Sequence, residues 1–262
     1  MAGIHPYLDR PGPLALAHRG FSLDGLENSM AAFAAAVELG YEYVETDVHA
    51  TADGIAVALH DATLDRVTDR TGAVATLPWS EVKRALIGGV EPVPALEDVL
   101  GSWPELRVNI DVKSPSAVAP LARVLDRTRA HDRVCVASFS DARRRAVLRR
   151  VAAPVATSAG QTLIAAFVAA ASTPGARRFA ATALRGVDCL QVPATFRGRA
   201  VVTPATVAAA HAAGKQVHVW TVNEPAQMRR LLDLGVDGLI TDRADLLRDV
   251  LVARSAWHGT GG

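Results

Sequence analysis

QVHVWTVNEPAQMRRLLDLGVDGLIT, from Gln216 to Thr241, reads as a strand, a helix and a second strand. Gln216 to Val222 is rich in β-branched residues, a helix starts near Glu224 with Pro225 beside it, and Gly238 to Thr241 is a short apolar run. That order is the unit from which a parallel sheet wrapped by helices is built.

Toward the N-terminus the same alternation recurs. Strand-like runs occupy Leu14 to Arg19, Tyr43 to Ala50, Arg107 to Lys113, Arg133 to Ser138, Val155 to Ser158 and Cys189 to Val192, which makes eight with the two above. Helical segments begin near Ser29, Ala95, Ala117, Asp141, Thr162, Thr203, Glu224 and Asp245. Eight such pairs favour closure into a (β/α)8 TIM barrel over an open sheet. The least defined stretch is Ser158 to Cys189, and the tail after Ala256 is expected to fray. No linker or composition break divides the chain, so residues 1–262 read as one domain. One insertion interrupts the alternation after the second strand. Asp53-Gly54 is a hairpin signal leading into Ile55 to His60, and Asp61 to Val93 is long enough to be a functional loop over the barrel mouth.

Composition narrows the partners. The 28 Lys and Arg nearly cancel the 27 Asp and Glu, leaving a net charge of +1 and no electrostatic reason to expect nucleic acid or a stable membrane association. A small-molecule ligand is the default. No segment has the roughly 18 uncharged residues a bilayer span requires, and the cytoplasm is the default location. Cys135 and Cys189 lie in strand-like runs and read as buried free thiols. Nothing in the sequence sets the oligomeric state.

Residues two apart in a strand share a face, so Glu45 and Asp47 point together, as do Asp111 and Lys113. Three carboxylates converging inside a barrel form either an oxygen cage for Mg²⁺ or Ca²⁺ or a set of ion pairs with Arg and Lys, and spacing alone does not choose. His18-Arg19-Gly20 ends the first strand, where barrel enzymes keep reactive groups, and His60 reaches the same end through the hairpin. Two imidazoles on opposite sides of one phosphorus suit in-line displacement, although a single histidine is more often an ordinary polar residue. Arg19 and Lys113 either face phosphate or balance the carboxylates. Taken alone, Glu27-Asn28-Ser29 is a helix cap, Trp220 core filling, Asp242 a cap for the last helix, and the arginines at 143–145, 149 and 150 a solvated helix face.

The ordered set His18-Arg19-Gly20, Glu27-Asn28-Ser29, Glu45-Thr46-Asp47-Val48, Thr51-Ala52-Asp53-Gly54 and His60-Asp61 resembles the glycerophosphodiester phosphodiesterases. The likeness resumes at Val219 to Asn223 and Gly235 to Asp242, bracketing nearly the whole chain. The resemblance implies a (β/α)8 barrel, a divalent metal ion, and hydrolysis of glycerophosphodiesters to glycerol 3-phosphate and an alcohol. It also implies Glu45 and Asp47 as metal ligands with Asp111 as the third carboxylate, Glu27 helping to place the metal or a neighbour, and His18 and His60 as acid and base. Arg19 and Lys113 would contact the phosphate, and Trp220 would line the glycerol pocket. Two departures stand out: Asp111-Val112-Lys113 replaces the usual Glu-x-Lys, and Leu26 stands where proline is common.

Two rival readings remain. Action on lysophospholipids needs an apolar rim, which Leu77, Pro78, Trp79, Leu86 and Ile87 offer. A non-catalytic phosphate-binding barrel would be expected to have lost its histidines or carboxylates, and all of them are present.

Overall fold

The computed structural model describes residues 4–173 and 179–259. The last three residues of the tail expected to fray lie outside that range. Eight parallel strands form the barrel wall: β1 (Leu14–His18), β2 (Tyr43–Ala50), β3 (Arg107–Val112), β4 (Val134–Ala137), β5 (Ala156–Thr157), β6 (Cys189–Pro193), β7 (Gln216–Trp220) and β8 (Gly238–Thr241). Their helices are α1 (Met30–Glu38), α2 (Leu96–Ser102), α3 (Val118–Thr128), α4 (Asp141–Leu148), α5 (Gln161–Ser172), α6 (Pro204–Ala212), α7 (Pro225–Asp233) and α8 (Ala244–Ala253).

Local chemistry sets several of these starts. The Ser29 hydroxyl accepts from Ala32 N and the Ser140 hydroxyl from Arg143 N, while Thr203 and Thr206 form a reciprocal capping box ahead of α6. Asp242 does not cap α8: the N-cap residue is Arg243, without a side-chain cap bond. The first strand ends one residue before the expected Arg19, because Arg19 (φ 56°) and Gly20 (φ 80°) turn left-handed. A side chain at Gly20 would put Cβ 2.6 Å from the Ala32 carbonyl carbon, so only glycine lets this turn lie against α1.

The seam between β5 and β6 is the weakest part of the wall. It closes through one parallel bridge, Ser158 to Cys189, and through Asp188 N donating to Thr157 O at 2.8 Å. Arg144 supports it from α4. This side chain is buried, donates to Thr157 Oγ1 and the Gly186 carbonyl, and pairs with Asp141 at 3.6 Å, so the arginine cluster is not uniformly a solvated face.

The N-terminal half of the barrel interior is filled by apolar side chains, including Tyr7, Leu14, Leu16, Tyr43 and the two free buried cysteines. Such filling closes the floor and leaves the C-terminal mouth for chemistry. Ala56–Ala58 pairs antiparallel with β2 as the hairpin signal implies. Asp61 to Val93 then folds around its own apolar cluster, beside the mouth, reaching it through Asp61 and Arg66. Ile87 is buried there, and Leu77 and Trp79 pack against it, so these apolar residues do not form the lipid rim the sequence offered. No helix among the described residues is long and apolar enough to cross a membrane.

Candidate active site

A cavity of about 520 Å³ opens at the C-terminal ends of the strands and is lined by His18, Arg19, Glu45, Asp47, His60, Asp111, Lys113 and Trp220. Glu27, the remaining residue singled out from the sequence, does not line it. It stands behind Arg19, whose Nη1 donates to Glu27 Oε1 at 2.8 Å.

Strand register explains the convergence. His18 lies opposite Glu45 across the β1–β2 pairing, and Asp47 opposite Asp111 across β2–β3. His18 Nε2 is 3.7 Å from Glu45 Oε2, close enough for both to act at one centre. The loop after β1 folds back on the same group: Asn28 (φ 61°) donates from its backbone to Arg19 O, accepts from Thr46 Oγ1, and donates from Nδ2 to Asp47 Oδ2 at 3.1 Å. Ser29 is the helix cap, as the simple reading had it, and its two predecessors hold site residues.

Each histidine is oriented through Nδ1 by an aspartate. His18 Nδ1 bonds Asp242 Oδ1 at 2.6 Å, and Asn223 Nδ2 donates to the other Asp242 oxygen at 2.8 Å. His60 Nδ1 bonds Asp61 Oδ1 at 2.6 Å, and Arg66 Nε donates to Asp61 Oδ2 at 2.6 Å while its Nη2 donates to Glu27 at 2.7 Å. His49 Nε2 lies 3.1 Å from the His60 carbonyl oxygen and steadies the loop. Burial disfavours the charged His18 ring, but Glu45 and the bond to Asp242 outweigh it and raise its pKa. Burial also pushes the Asp242 carboxyl up, yet its bonds from His18 and Asn223 hold it below the ordinary carboxylate value.

The carboxylates divide between the two arrangements the sequence left open. Lys113 Nζ lies 2.8 Å from Asp47 Oδ1 and 2.7 Å from Asp111 Oδ2, and Arg19 Nε 3.0 Å from Asp47 Oδ2. Burial raises the Asp47 carboxyl, but Lys113 and then Arg19 hold it below its usual value. Glu45 pairs with neither cation among the described residues. Burial first, and then the charge of Asp47, push its pKa to about 8. Asp111 Oδ1 is buried and has no hydrogen-bond partner among the described residues.

These are the conditions a hard cation relieves. As the side chains stand, no three His, Cys, Asp or Glu among the described residues form a ligand group, and Lys113 bridges two of the candidates. The donor chemistry nevertheless fits a divalent ion: oxygen atoms only, one of them unpartnered among the described residues, and one carboxyl whose pKa burial and then Asp47 push up for want of a cation.

Asp242, Asn223, Asp61 and Arg66 were not read from the sequence as orienting groups. For Asp242 a signal existed: barrel closure puts β8 beside β1, with Thr241 opposite Ala17, and the next residue of each strand is Asp242 and His18.

Residues 18–246 match the model of the glycerophosphoryl diester phosphodiesterase family. The chain is 49% identical over 254 residues to a probable glycerophosphodiester phosphodiesterase 2 of Mycobacterium tuberculosis, covering 97% of this chain and 96% of that protein. Its fold is similar to the crystal structure of a putative glycerophosphoryl diester phosphodiesterase of Silicibacter pomeroyi, with a TM-score of 0.78 and 23% identity over 97% of this chain and 99% of the other. It is also similar in fold to a phosphodiesterase of Oleispira antarctica solved in complex with the product sn-glycerol-3-phosphate, with a TM-score of 0.75 and 22% identity over 92% of this chain and 97% of that one.

Proposed function

This chain belongs to the glycerophosphoryl diester phosphodiesterase family, and we propose that it hydrolyses glycerophosphodiesters to glycerol 3-phosphate and an alcohol by histidine acid and base catalysis assisted by a divalent metal ion. The observation that carries this reading is the matched pair of histidines, His18 and His60, each held through Nδ1 by an aspartate and each lining the cavity that has Glu45, Asp47 and Asp111 in its wall.

Fixing Nδ1 leaves Nε2 of each ring to exchange protons with substrate. One imidazole removes the proton of the attacking group, water or the substrate's neighbouring hydroxyl, and the other supplies a proton to the departing alcohol oxygen. A cyclic phosphate formed by the second route is then opened by water to give glycerol 3-phosphate. Glu45, Asp47 and Asp111 would hold Mg²⁺ or Ca²⁺, with Glu27 placing Arg19 beside them. The ion supplies Lewis-acid polarisation of a phosphoryl oxygen. Arg19 and Lys113 already neutralise Asp47, and a bound phosphate gives the same two cations a second anion to share. Trp220 faces the cavity from the end of β7, where it packs a glycerol face. The cytoplasm remains the location we assign, on composition.

The test is a panel of glycerophosphodiesters, assayed with and without chelator and with Mg²⁺ or Ca²⁺ restored. Release of glycerol 3-phosphate that chelator abolishes and one of the ions restores is the expected result. Full turnover in chelator would remove the metal from the proposal, and no turnover with any member of the panel would remove the activity.

A further inference from the structure

The arginines at 143–145 lie side by side near the start of α4 and go three different ways. Arg145 is exposed and Arg144 supports the β5–β6 seam, while Arg143 is half-buried and turns toward the end of β3. Its Nη1 donates to the Val112 carbonyl oxygen at 2.8 Å, and among the described residues it forms no ion pair with a carboxylate. Its Nε is buried and has no hydrogen-bond partner among those residues. A guanidinium that gives up water to bond a neutral carbonyl, on a helix with solvent beside it, needs a reason.

The carbonyl it reaches links Asp111 to Lys113. The β3–β4 ladder ends at Asp111 and Ala137, so Val112 O lies past the last strand pair. Ser138 Oγ donates to the same oxygen at 2.9 Å, and on the other side of this peptide Lys113 N donates to Val48 O at 3.0 Å. Both polar groups of the Val112–Lys113 peptide are thereby held. Asp111 is fixed without this help, paired with Asp47 on β2 and Ala137 on β4. Lys113 stands beyond the last residue of β3, and the plane of that peptide sets the direction in which its side chain leaves the strand. Its Nζ lies 2.8 Å from Asp47 and 2.7 Å from Asp111, so a swing of the backbone alters both contacts.

We infer that Arg143 is a positioning residue for Lys113: by locking the Val112 carbonyl it keeps the ammonium between the two carboxylates and aimed at the phosphate of a bound ligand. Arg143 does not line the cavity, so its influence passes through that peptide. The inference rests on the phosphodiesterase reading above, in which Lys113 contacts phosphate. Ser138 does not make it redundant, because a hydroxyl gives a neutral hydrogen bond where the guanidinium gives a stronger, charge-assisted one.

A double-mutant cycle read by calorimetry with glycerol 3-phosphate, with the divalent ion present, tests this without turnover. Arg143→Met keeps an unbranched apolar stem and removes the donor. It should weaken glycerol 3-phosphate binding about tenfold in the otherwise unchanged chain. With Lys113→Met already in place, the same substitution should cost less than about twofold. Arg143→Lys supplies one charged donor, which is all the carbonyl takes from Arg143, and should recover most of the loss. Arg145→Met, on the exposed side of α4, is the control and should leave binding unchanged. Each variant's Tm is recorded, and the cycle is repeated with Arg143→Gln, so that a methionine variant unable to fold leaves the measurement standing. An equal loss in both backgrounds would mean that Arg143 acts on the fold at large, and it overturns the inference. Unchanged affinity in the first background overturns it too. If the unmodified chain binds no glycerol 3-phosphate, the phosphate site itself falls and the role of Arg143 with it, whereas binding without coupling removes that role alone.

Discussion

One cavity has two unlike walls. The ends of β1, β2 and β3 and of the hairpin strand Ala56–Ala58 contribute three carboxylates, an arginine, a lysine and two oriented histidines, while β4 to β6 and α5 contribute no charge at all. Both walls are built from strand ends of the same barrel, so the fold does not impose the difference. Ionisable groups inside a low-dielectric barrel are costly unless paired or used, and they mark the first wall as the place where bonds change. The second wall is uncharged but not wholly apolar, since Ser138, Ser158 and Gln191 bring buried polar groups to it, and it can contribute shape, apolar contact and neutral hydrogen bonds. Substitutions should therefore cost turnover on one side and discrimination between substrates on the other.

The sharpest way to break that division is His18→Ala or His60→Ala. Each should lower kcat by about two orders of magnitude or more, the range for loss of a general acid or base. Steady-state kinetics with glycerophosphocholine measures it. A variant keeping more than about a tenth of the wild-type kcat would show that its histidine moves no proton in the limiting step.

Asp242→Asn comes next. It keeps the size of the side chain but replaces the carboxylate that His18 Nδ1 bonds with an amide able to present a donor there, so the ring loses its fixed orientation. The expected loss is about tenfold to a hundredfold in kcat with KM changed much less, because substrate binding does not use Nδ1. A change confined to KM would instead place Asp242 against the substrate.

The two histidines also show how far the sequence could be read. The partner of His60 is the next residue, Asp61, while the partner of His18 stands 224 positions away and meets it only when β8 closes against β1. The groups lining the ionic wall were legible because a charged side chain at an inward strand position needs an explanation, whatever its distance from the others. Their orienting partners were not, since Asp242 and Arg66 occupy loop positions where charge is ordinary. The apolar wall was hidden for the opposite reason. Ile164, Ala165, Val168 and Ala169 are core-like residue types, and the absence of a polar face on α5 also blurred the helix between Ser158 and Cys189. The same blindness put a lipid rim at Leu77 to Ile87, where the apolar side chains serve the insertion's own core.

Arg66→Ala tests whether the insertion belongs to the ionic wall. Its guanidinium joins Asp61 to Glu27, and so links the loop of His60 to the one that holds Arg19. The side chain is half exposed, so solvent screens these pairs, and a loss of about threefold to tenfold in kcat/KM is expected. A value equal to wild type would leave the insertion a structural appendage. A loss matching that of His60→Ala would mean Arg66 does more than hold Asp61.

The smallest effect belongs where the walls meet. Phe139 follows β4, packs edge-on against Trp220 with centroids 5.8 Å apart, and has the Lys113 ammonium 5.9 Å from its ring centroid. It is thus the one apolar side chain among those discussed that touches the charged machinery directly. Phe139→Leu keeps an apolar surface for the substrate but removes the ring face under the ammonium, a contact worth about 0.5–1 kcal/mol at an exposed site, which is about twofold to fivefold. Lys113 already has Asp47 and Asp111 as partners, so its charge should remain in place and only its orientation toward phosphate should loosen. The loss should therefore appear in KM, at about twofold to fivefold, with kcat held within a factor of about two. Were kcat to fall as far as in Asp242→Asn, the boundary would have to be redrawn with Phe139 inside the ionic wall.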